Sequence, residues 1–365
     1  MNTKNVTGLT VKTESKKKLS SKFVQKLMKW NKESNARKMP WKGEKDPYKI
    51  WVSEIILQQT RVDQGLKYYE NFIKTFPTVE AIARAPTGKV FKLWEGLGYY
   101  SRCRNLIDTA KFISKNLNGV FPKTYPSILQ LKGVGPYTAS AIASFAYNLP
   151  HAVLDGNVFR VLARVFDMEI VIDSSEGKKY FSELAQTILP MQKAGEYNQA
   201  IMDFGAVICK PYPECKTCFF NSYCKAYLKG KQDLLPIKTK KIKIKERWLN
   251  YFIVRYMNHV LIRKRSSNDI WQQLFEFVLI ETDKFYDQEK LLVLFRKQYN
   301  ITEYHNTLLH ATRQKLSHQV INFSFHEIVL KNKQSIVGFT WVKLHDLKKY
   351  AFPKSLQELV GKNLK

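Results

Sequence analysis

A chain of 365 residues with 44% hydrophobic and 13% aromatic residues is too apolar for an intrinsically disordered protein and long enough for two folded domains. Its 60 Lys and Arg against 31 Asp and Glu give a formal net charge of +29, which predicts a polyanionic partner, with nucleic acid favoured over a membrane surface. No apolar run is long enough for a transmembrane helix or a signal peptide, so we expect a soluble, cytoplasmic protein with no membrane partner.

The N-terminal part of the chain is predicted to pass from a tail into helices. Residues 1–21 are polar and Lys-rich without an apolar period, so we expect a basic, disordered tail. Phe23 and Leu27 then begin a helical spacing of apolar residues. The stretch 48–76 has a mostly helical pattern in which Gly65 is the weak point, and it predicts one long helix.

Two turns rich in glycine stand out. Gly133-Val134-Gly135 precedes the helix-forming run 139–146, and such a turn presents bare N–H groups that suit a phosphate. The alternative is an ordinary turn between packed helices, and this motif alone does not separate the two. The second turn, 96–102, carries two aromatic residues that could belong to the core or present a flat face to a base.

Two acidic residues are candidates for chemistry. Glu54 lies beside Ile55 and Ile56, an apolar setting that raises the pKa of a carboxyl group; the alternative is a surface Glu on an amphipathic helix. Asp155 precedes the predicted helix 158–166 and could simply cap it. The pattern leaves both alternatives open for both residues.

Four of the five cysteines lie in one short segment. Such density in a Cys-poor, intracellular chain argues against disulfides and predicts a metal centre. Four thiolates suit zinc or an iron–sulfur cluster, and one compact loop with unequal spacings favours the cluster. The remaining Cys103 is predicted to be a packed thiol. The four candidate ligands are Cys209, Cys215, Cys218 and Cys224.

The C-terminal third has a different pattern. Residues 229–246 read as a basic linker. Beyond them, short runs of β-branched and aromatic residues predict strands, with one helical segment between them, and we infer a smaller α+β domain. The predicted strands are 251–254, 259–262, 275–280 and 321–325, and the predicted helix is 288–299.

The motifs, taken in chain order, resemble those of the MutY-type adenine DNA glycosylases. The resemblance spans about residues 37–224, and it rests on the segments 53–60, 96–100, 133–135 and 154–158 and on the cysteine loop. It implies an all-α, two-lobed helix-hairpin-helix domain at 22–228 with an iron–sulfur cluster loop at 209–224. The C-terminal part resembles the family's MutT-like α+β domain, placed at 247–365.

Two other readings stay open beside this one. The endonuclease III type of the same superfamily shares the turn, the Asp and the cluster, but it uses a Lys nucleophile where this chain has Tyr137, and an amine is needed for Schiff-base chemistry. A non-catalytic DNA-binding protein of the same fold is the third, although both carboxyl residues are present here.

The resemblance implies an activity and its catalytic residues. The activity is monofunctional hydrolysis of the N-glycosidic bond of adenine mispaired with 8-oxoguanine or guanine, in base excision repair. Glu54 would protonate the leaving adenine and Asp155 would stabilise the sugar cation, their environments pushing the two pKa values apart. Tyr137 and Asn157 would orient these groups.

It also implies contacts with DNA. The target adenine must leave the stack, and Gln59 and Tyr99 would fill the gap. The residues implied for the adenine pocket are Arg37, Trp41, Leu57 and Gln199. Those implied for reading 8-oxoguanine are Gln59, Thr60, Leu97, Tyr99 and Ser317. Those implied for DNA phosphates are Lys132, Gly133 and Gly135.

The implied cofactor is a [4Fe–4S] cluster, and the implied partner is double-stranded DNA that contains an adenine mispair, bound by a monomer associated with the nucleoid. The chain departs from the family in places. Only five residues separate Cys209 and Cys215, where the family has six, and Phe219 replaces a usual Pro. The C-terminal domain lacks the Glu-rich cluster of a working pyrophosphatase, so we expect it to bind rather than hydrolyse.

Overall fold

The computed structural model describes residues 4–239, 244–266 and 269–362; for residues 4–16 and 362 it describes the backbone only. Parts of three predicted segments therefore lie outside the described residues: 1–3 of the tail, 240–243 of the linker, and both 267–268 and 363–365 of the C-terminal domain.

The chain divides into two compact units. The described residues of Met1–Ala83 and Asp108–Lys240 form the first, and those of Arg84–Ile107 and Lys241–Lys365 form the second. Residues 84–107 thus group with the C-terminal part of the chain, which a single boundary at the linker does not anticipate.

The first unit is helical, and apolar residues at helical spacing explain why its helices pack on one another. A core around Phe23, Leu27, Val161 and Phe204 joins six of them. The helices are α1 (Lys4–Glu33), α2 (Pro47–Leu57), α3 (Val62–Thr75), α4 (Val79–Arg84), α5 (Thr87–Trp94), α6 (Tyr100–Asn116), α7 (Tyr125–Leu129), α8 (Pro136–Tyr147), α9 (Gly156–Phe166), α10 (Ser175–Ile188), α11 (Ala194–Val207) and α12 (Lys225–Leu228), of which α5 and the start of α6 belong to the second unit.

The first helix differs from its predicted extent at one end. Phe23 and Leu27 are fully buried, as their spacing indicates. However, α1 begins at Lys4, inside the stretch 1–21 that was expected to be a tail. Lys is a good helix former, so a helix held by its apolar second half continues into the polar segment.

The single helix expected over 48–76 is two helices. α2 ends at Leu57 and α3 begins at Val62, because Gln59 takes a left-handed conformation with φ 57°. Gly65 is not the break: it lies within α3, where a Cβ atom would come 2.9 Å from Leu57 Cδ2. The glycine therefore allows α2 and α3 to approach each other closely.

The second unit is built on a mixed sheet with order β3-β2-β1-β6-β5, in which β4 also pairs with β1 and β7 with β2. β1 and β6 are parallel and the other pairs are antiparallel. One apolar core includes Tyr251 and Phe352, and a second includes Phe252 and Phe295. The elements are β1 (Lys245–Tyr256), β2 (His259–Lys264), β3 (Phe275–Glu276), β4 (Val278–Thr282), α13 (Gln288–Tyr299), β5 (Tyr304–Lys315), β6 (Gln319–Leu330), β7 (Thr340–Lys343) and α14 (Lys354–Lys362).

The predicted strands and helix of this unit correspond to β1, β2, β3 with β4, β6 and α13, with the strand at 275–280 interrupted at Phe277. The sequence did not reveal β5, most of whose residues are exposed. Among the described residues, no helix combines the length and the apolar character that crossing a membrane requires.

Candidate active site

A cavity of about 490 Å³ opens in the first unit where α2, α8, α9 and α11 meet. Both acidic residues singled out from the sequence, Glu54 and Asp155, line it. So do eight of the other predicted site residues: Arg37, Trp41, Leu57, Gln59, Thr60, Tyr137, Asn157 and Gln199.

Glu54 lies in α2 and is 6% exposed. Burial raises the pKa of its carboxyl group to about 7, a hydrogen bond with the Tyr137 hydroxyl opposes that shift, and the nearby Asp155 adds to it. The alternative of a surface Glu is therefore excluded. At neutral pH, a substantial fraction of this carboxyl group carries a proton.

Asp155 caps the N-terminus of α9, as the first alternative predicted, and it also lines the cavity, where the second alternative would place it. Its Oδ1 accepts a hydrogen bond from the Val158 N–H at 2.7 Å, and its Oδ2 accepts one from Asn157 Nδ2 at 2.8 Å. Burial raises the pKa of Asp155 against these hydrogen bonds. Both carboxyl pKa values thus move upward, but the greater hydrogen bonding at Asp155 favours its ionised form over that of Glu54.

Asp203, in α11, was missed by sequence reasoning. Its carboxylate is fully buried and accepts from Arg37 Nη1 at 2.8 Å and from Gln199 Nε2 at 3.0 Å, while Lys42 Nζ lies 3.0 Å away. Asp203 thus fixes two of the residues predicted for the adenine pocket. The four-residue spacing of Gln199 and Asp203 on one helix was the available signal.

Arg160 fixes the N-terminus of α9 through hydrogen bonds to α9 itself, to α11 and to the loop that follows α11. This side chain donates to Asn157 Oδ1, to the Gly205 carbonyl and to the Cys209 carbonyl, each at 2.8 Å. Gly205 lies so close to α9 that a Cβ atom there would come 2.7 Å from Asn157 Cβ. The position of Asn157, and through it that of Asp155, depends on this contact between α9 and α11.

The predicted phosphate turn joins α7 to α8. Gly133 has φ 79°, a left-handed conformation that favours glycine, and Gly135 is the N-cap of α8 without a side-chain acceptor for the first-turn N–H groups. Both glycines are exposed. Lys132 is also exposed, and its ammonium group pairs with Asp108. The backbone of the turn, more than the Lys132 side chain, is therefore available to an anion.

The four predicted cysteine ligands line one small cavity in the first unit. Arg164 Nη1 lies 3.6 Å from Cys209 Sγ, and the Phe220 N–H lies 3.5 Å from Cys218 Sγ, so polar hydrogens face the sulfurs. Phe219, which departs from the family pattern, stacks on Trp30 with ring centroids 5.9 Å apart. No group of three or more His, Cys, Asp or Glu in the described residues has the geometry for a metal ion.

Three predicted residues belong to the second unit. Tyr99 and Ser317 line a cavity of about 490 Å³ together with Trp271 and His318, and the Tyr99 hydroxyl lies 2.5 Å from Ser317 Oγ. Leu97 is 6% exposed and lies outside the set of residues that line this cavity.

The two predicted wedge residues share a backbone feature. Gln59 has φ 57° and Tyr99 has φ 47°. Non-glycine residues are uncommon in this left-handed region, and they persist there only where the surrounding structure determines them. Seven other described non-glycine residues share this region, several of them at helix C-termini, so the conformation supports the two assignments only together with the cavities that these residues line.

Comparison with known proteins gives two family matches. Residues 52–189 match the HhH-GPD superfamily of base excision DNA repair proteins. Residues 250–362 match the NUDIX domain.

Two of the relatives that the chain resembles carry the name adenine DNA glycosylase. The chain is 34% identical to an adenine DNA glycosylase of Buchnera aphidicola subsp. Baizongia pistaciae over 350 residues, which cover 93% of this chain and 96% of that protein. It is also 37% identical to the adenine DNA glycosylase of Homo sapiens over 223 residues, or 58% of this chain and 41% of the human protein.

Solved structures agree on the fold. A thermostable thymine-DNA glycosylase matches with 30% identity and a TM-score of 0.55, covering 59% of this chain and 99% of that one. A trapped endonuclease III–DNA covalent intermediate matches with 19% identity and a TM-score of 0.50, covering 57% and 94%. The chain therefore belongs to the adenine DNA glycosylase family, the MutY-type branch of the helix-hairpin-helix base-excision enzymes, and carries a NUDIX domain in its C-terminal part.

Proposed function

We propose that this protein releases adenine from adenine:8-oxoguanine and adenine:guanine mispairs in double-stranded DNA by hydrolysing the N-glycosidic bond. The observation that carries the proposal is the pair of buried carboxyl groups, Glu54 and Asp155, on one cavity in a chain of this family. Hydrolysis of a glycosidic bond needs an acid for the leaving group and a carboxylate for the sugar cation.

Glu54 is the acid. A pKa raised to about 7 by burial lets the group hold a proton near neutral pH and give it to the departing base. Asp155 is the carboxylate for the sugar. Its two hydrogen-bond donors, the Val158 N–H and Asn157 Nδ2, favour the ionised form that this role requires. There it stabilises the positive charge that develops on the ring.

The adenine pocket is assigned to the same cavity. Arg37 and Gln199 are held by the buried Asp203, so their donors and acceptors are fixed before the base arrives. Trp41 and Leu57 supply apolar surface beside them. A flipped purine is bound in this way, by hydrogen bonds at its edge and apolar contact on its faces.

The reaction stops at base removal. The described residues that line the cavity include no lysine, and Tyr137 stands where the lyase type has its amine. Without an amine near the sugar, no Schiff base forms. Strand cleavage should therefore need alkali after the base is gone.

DNA is held through its phosphates at the turn of Gly133 and Gly135 and through the excess of positive charge on the chain. Backbone N–H groups reach no base edge, so this contact positions the duplex without reading its sequence. We propose that the protein acts as a monomer, and its substrate would place it with the nucleoid.

The cysteine loop would hold a structural [4Fe–4S] cluster. Four cysteines line one cavity, and four thiolates are the ligand set that such a cluster uses. The donor set and the hydrogens facing Cys209 and Cys218 fit such a cluster. With all four positions taken by thiolates, it would support the fold and leave the chemistry to the cavity.

Three duplexes test the proposal: adenine opposite 8-oxoguanine, adenine opposite guanine, and an oxidised thymine opposite adenine. We expect adenine release from the first two, fastest from the first, with strand breaks only after alkali. The Glu54→Gln variant should bind the mispair and release no adenine. Preferred attack on the oxidised thymine, with cleavage in the absence of alkali, would refute the proposal in favour of an endonuclease III-type activity.

A further inference from the structure

The turn that carries Tyr99 has an unusual backbone. Gly96, Gly98 and Tyr99 have φ values of 94°, 74° and 47°. The first two are glycines and accept such angles at little cost. Tyr99 does not, so its conformation must be imposed by what surrounds the turn.

Hydrogen bonds within the segment fix part of this shape. Trp94 Nε1 donates to the Gly98 carbonyl at 3.1 Å, and Arg102 Nη2 donates to the same oxygen at 3.3 Å. The Gly96 N–H donates to the Tyr100 hydroxyl at 3.1 Å. These contacts set the local conformation of the turn, but they do not attach it to the rest of its unit.

The attachment is made by Glu95, which directly precedes the turn. Its side chain is 5% exposed. Oε1 accepts from the Phe352 N–H at 2.8 Å, and Oε2 accepts from Gln357 Nε2 at 3.1 Å and from Lys92 Nζ at 2.6 Å. Lys92 Nζ also donates to the Tyr350 carbonyl at 3.0 Å. A buried carboxylate is stable only with such partners.

These bonds join residues 257 and 262 positions apart in the chain. They seat the start of the turn on Ala351-Phe352-Pro353 and α14, in the NUDIX part of the second unit. The proposed chemistry gives this segment no role. We call the set of Lys92, Glu95, Phe352 and Gln357 the Glu95 latch.

The far end of the turn touches the same part of the chain, because the Tyr99 hydroxyl lies 2.5 Å from Ser317 Oγ. Tyr99 remains 40% exposed, so its ring is presented outward although its backbone is fixed. The turn is thus held at both ends by NUDIX-domain residues.

We propose that Glu95 is a positioning residue for recognition of the base opposite adenine. The latch fixes the turn so that Tyr99 keeps its left-handed conformation beside Ser317, on the cavity where the opposite base would be read. Glu95 therefore sets the preference for 8-oxoguanine over guanine without touching DNA. This inference rests on the proposed function.

The test compares adenine release from adenine:8-oxoguanine and adenine:guanine duplexes, under single-turnover conditions, and the affinity for each duplex. Glu95→Ala should lower the preference for 8-oxoguanine by about tenfold, the factor that a loss of about 1.4 kcal/mol gives. The pH profile of adenine release should not change, since Glu54 and Asp155 lie in the first unit. Glu95→Gln should lose less, because its amide oxygen can still accept from the Phe352 N–H.

Two further variants keep the test decisive. Glu327→Ala removes an ion pair with Arg255, 2.6 Å long, from the sheet of the same unit, and it should leave the preference unchanged. Gln357→Met removes one exposed partner of the latch, so it should fold even where Glu95→Ala does not, and it should lower the preference in the same direction.

Equal loss of rate on both duplexes in the latch variants, or a wild-type preference in folded Glu95→Ala and Gln357→Met, would overturn the inference. A wild-type protein that releases adenine from neither duplex would instead refute the proposed function. The two failures are therefore distinguishable.

Discussion

Replacing Tyr137 with Phe should move the alkaline limit of adenine release to higher pH, although it removes a residue of the active site. Burial raises the pKa of Glu54 to about 7, and the hydrogen bond with the Tyr137 hydroxyl holds that pKa down. Without the hydroxyl, the pKa rises further. Because the acid must be protonated to act, activity is lost as pH rises through its pKa, and a higher pKa places that loss at higher pH.

The size of the shift follows from the bond that is lost. The Tyr137 hydroxyl also lies 4.0 Å from Met202 Sδ, so we assign its interaction with Glu54 the value of an ordinary hydrogen bond, about 0.5 to 1.5 kcal/mol. Since about 1.36 kcal/mol corresponds to one pH unit, the alkaline limb of Tyr137→Phe should lie up to about one pH unit above that of the wild type. In both proteins, the rate above the limb should fall about tenfold per pH unit.

The assay is a series of single-turnover rates from about pH 5 to about pH 9 with an adenine:8-oxoguanine duplex. Tyr197→Phe is the matched control, because the Tyr197 hydroxyl is buried in the same unit without a hydrogen-bond partner and does not line the cavity. Its limb should coincide with that of the wild type. A limb that stays in place or moves to lower pH in Tyr137→Phe would show that Glu54 is not the acid.

Three further predictions concern other parts of the first unit. Asp203→Asn should lower the free energy of unfolding by about 1 to 3 kcal/mol in urea titrations, because Arg37 loses its buried partner; an unchanged midpoint would contradict this. Cys215→Ser should lose iron and visible absorbance, whereas Cys103→Ser should keep about four irons per chain; stoichiometric zinc in the wild type would exclude the cluster. Gly135→Asp, whose new side chain meets open space, should weaken binding equally to all DNA sequences, and Gly88→Asp, with the same added charge, should not; a changed base preference would refute the phosphate role.

The sequence predicted those parts of the fold whose apolar spacing is regular. Phe23 and Leu27 marked α1, and the β-branched runs marked the buried strands β1 and β6. It could not reveal β5, because a strand with most side chains in solvent has no buried face to impose alternation. Its pairing with β6 is what makes it a strand.

Local pattern also failed at the break between α2 and α3. Gln58-Gln59-Thr60 contains no Gly or Pro, so nothing in composition announces a left-handed residue at Gln59. The conformation is imposed by tertiary structure. Local rules of this kind fail most often at functional sites, and Gln59 lines the candidate cavity.

For the site, the sequence indicated Glu54 and Asp155 but not which of their alternative roles they have. Burial excludes a surface position for Glu54, and burial depends on residues far along the chain. Asp203 was missed for a related reason: its spacing from Gln199 indicates only a helical pair, whereas its contact with Arg37 joins residues 166 positions apart. The grouping of residues 84–107 with the C-terminal unit likewise depends on Glu95 meeting Phe352.

The close contact between Gly205 and Asn157 gives position 205 a weight that its chemistry does not suggest. Any added carbon there would push Asn157 and the start of α9 away from α11. Asp155 would move with it, while Glu54, on α2, would stay. The absence of a side chain at Gly205 therefore helps to determine the distance between Glu54, the proposed acid, and Asp155, the proposed carboxylate for the sugar. A Gly205→Ala protein would keep both Glu54 and Asp155, but at a distance that no longer suits protonation of the base together with stabilisation of the sugar.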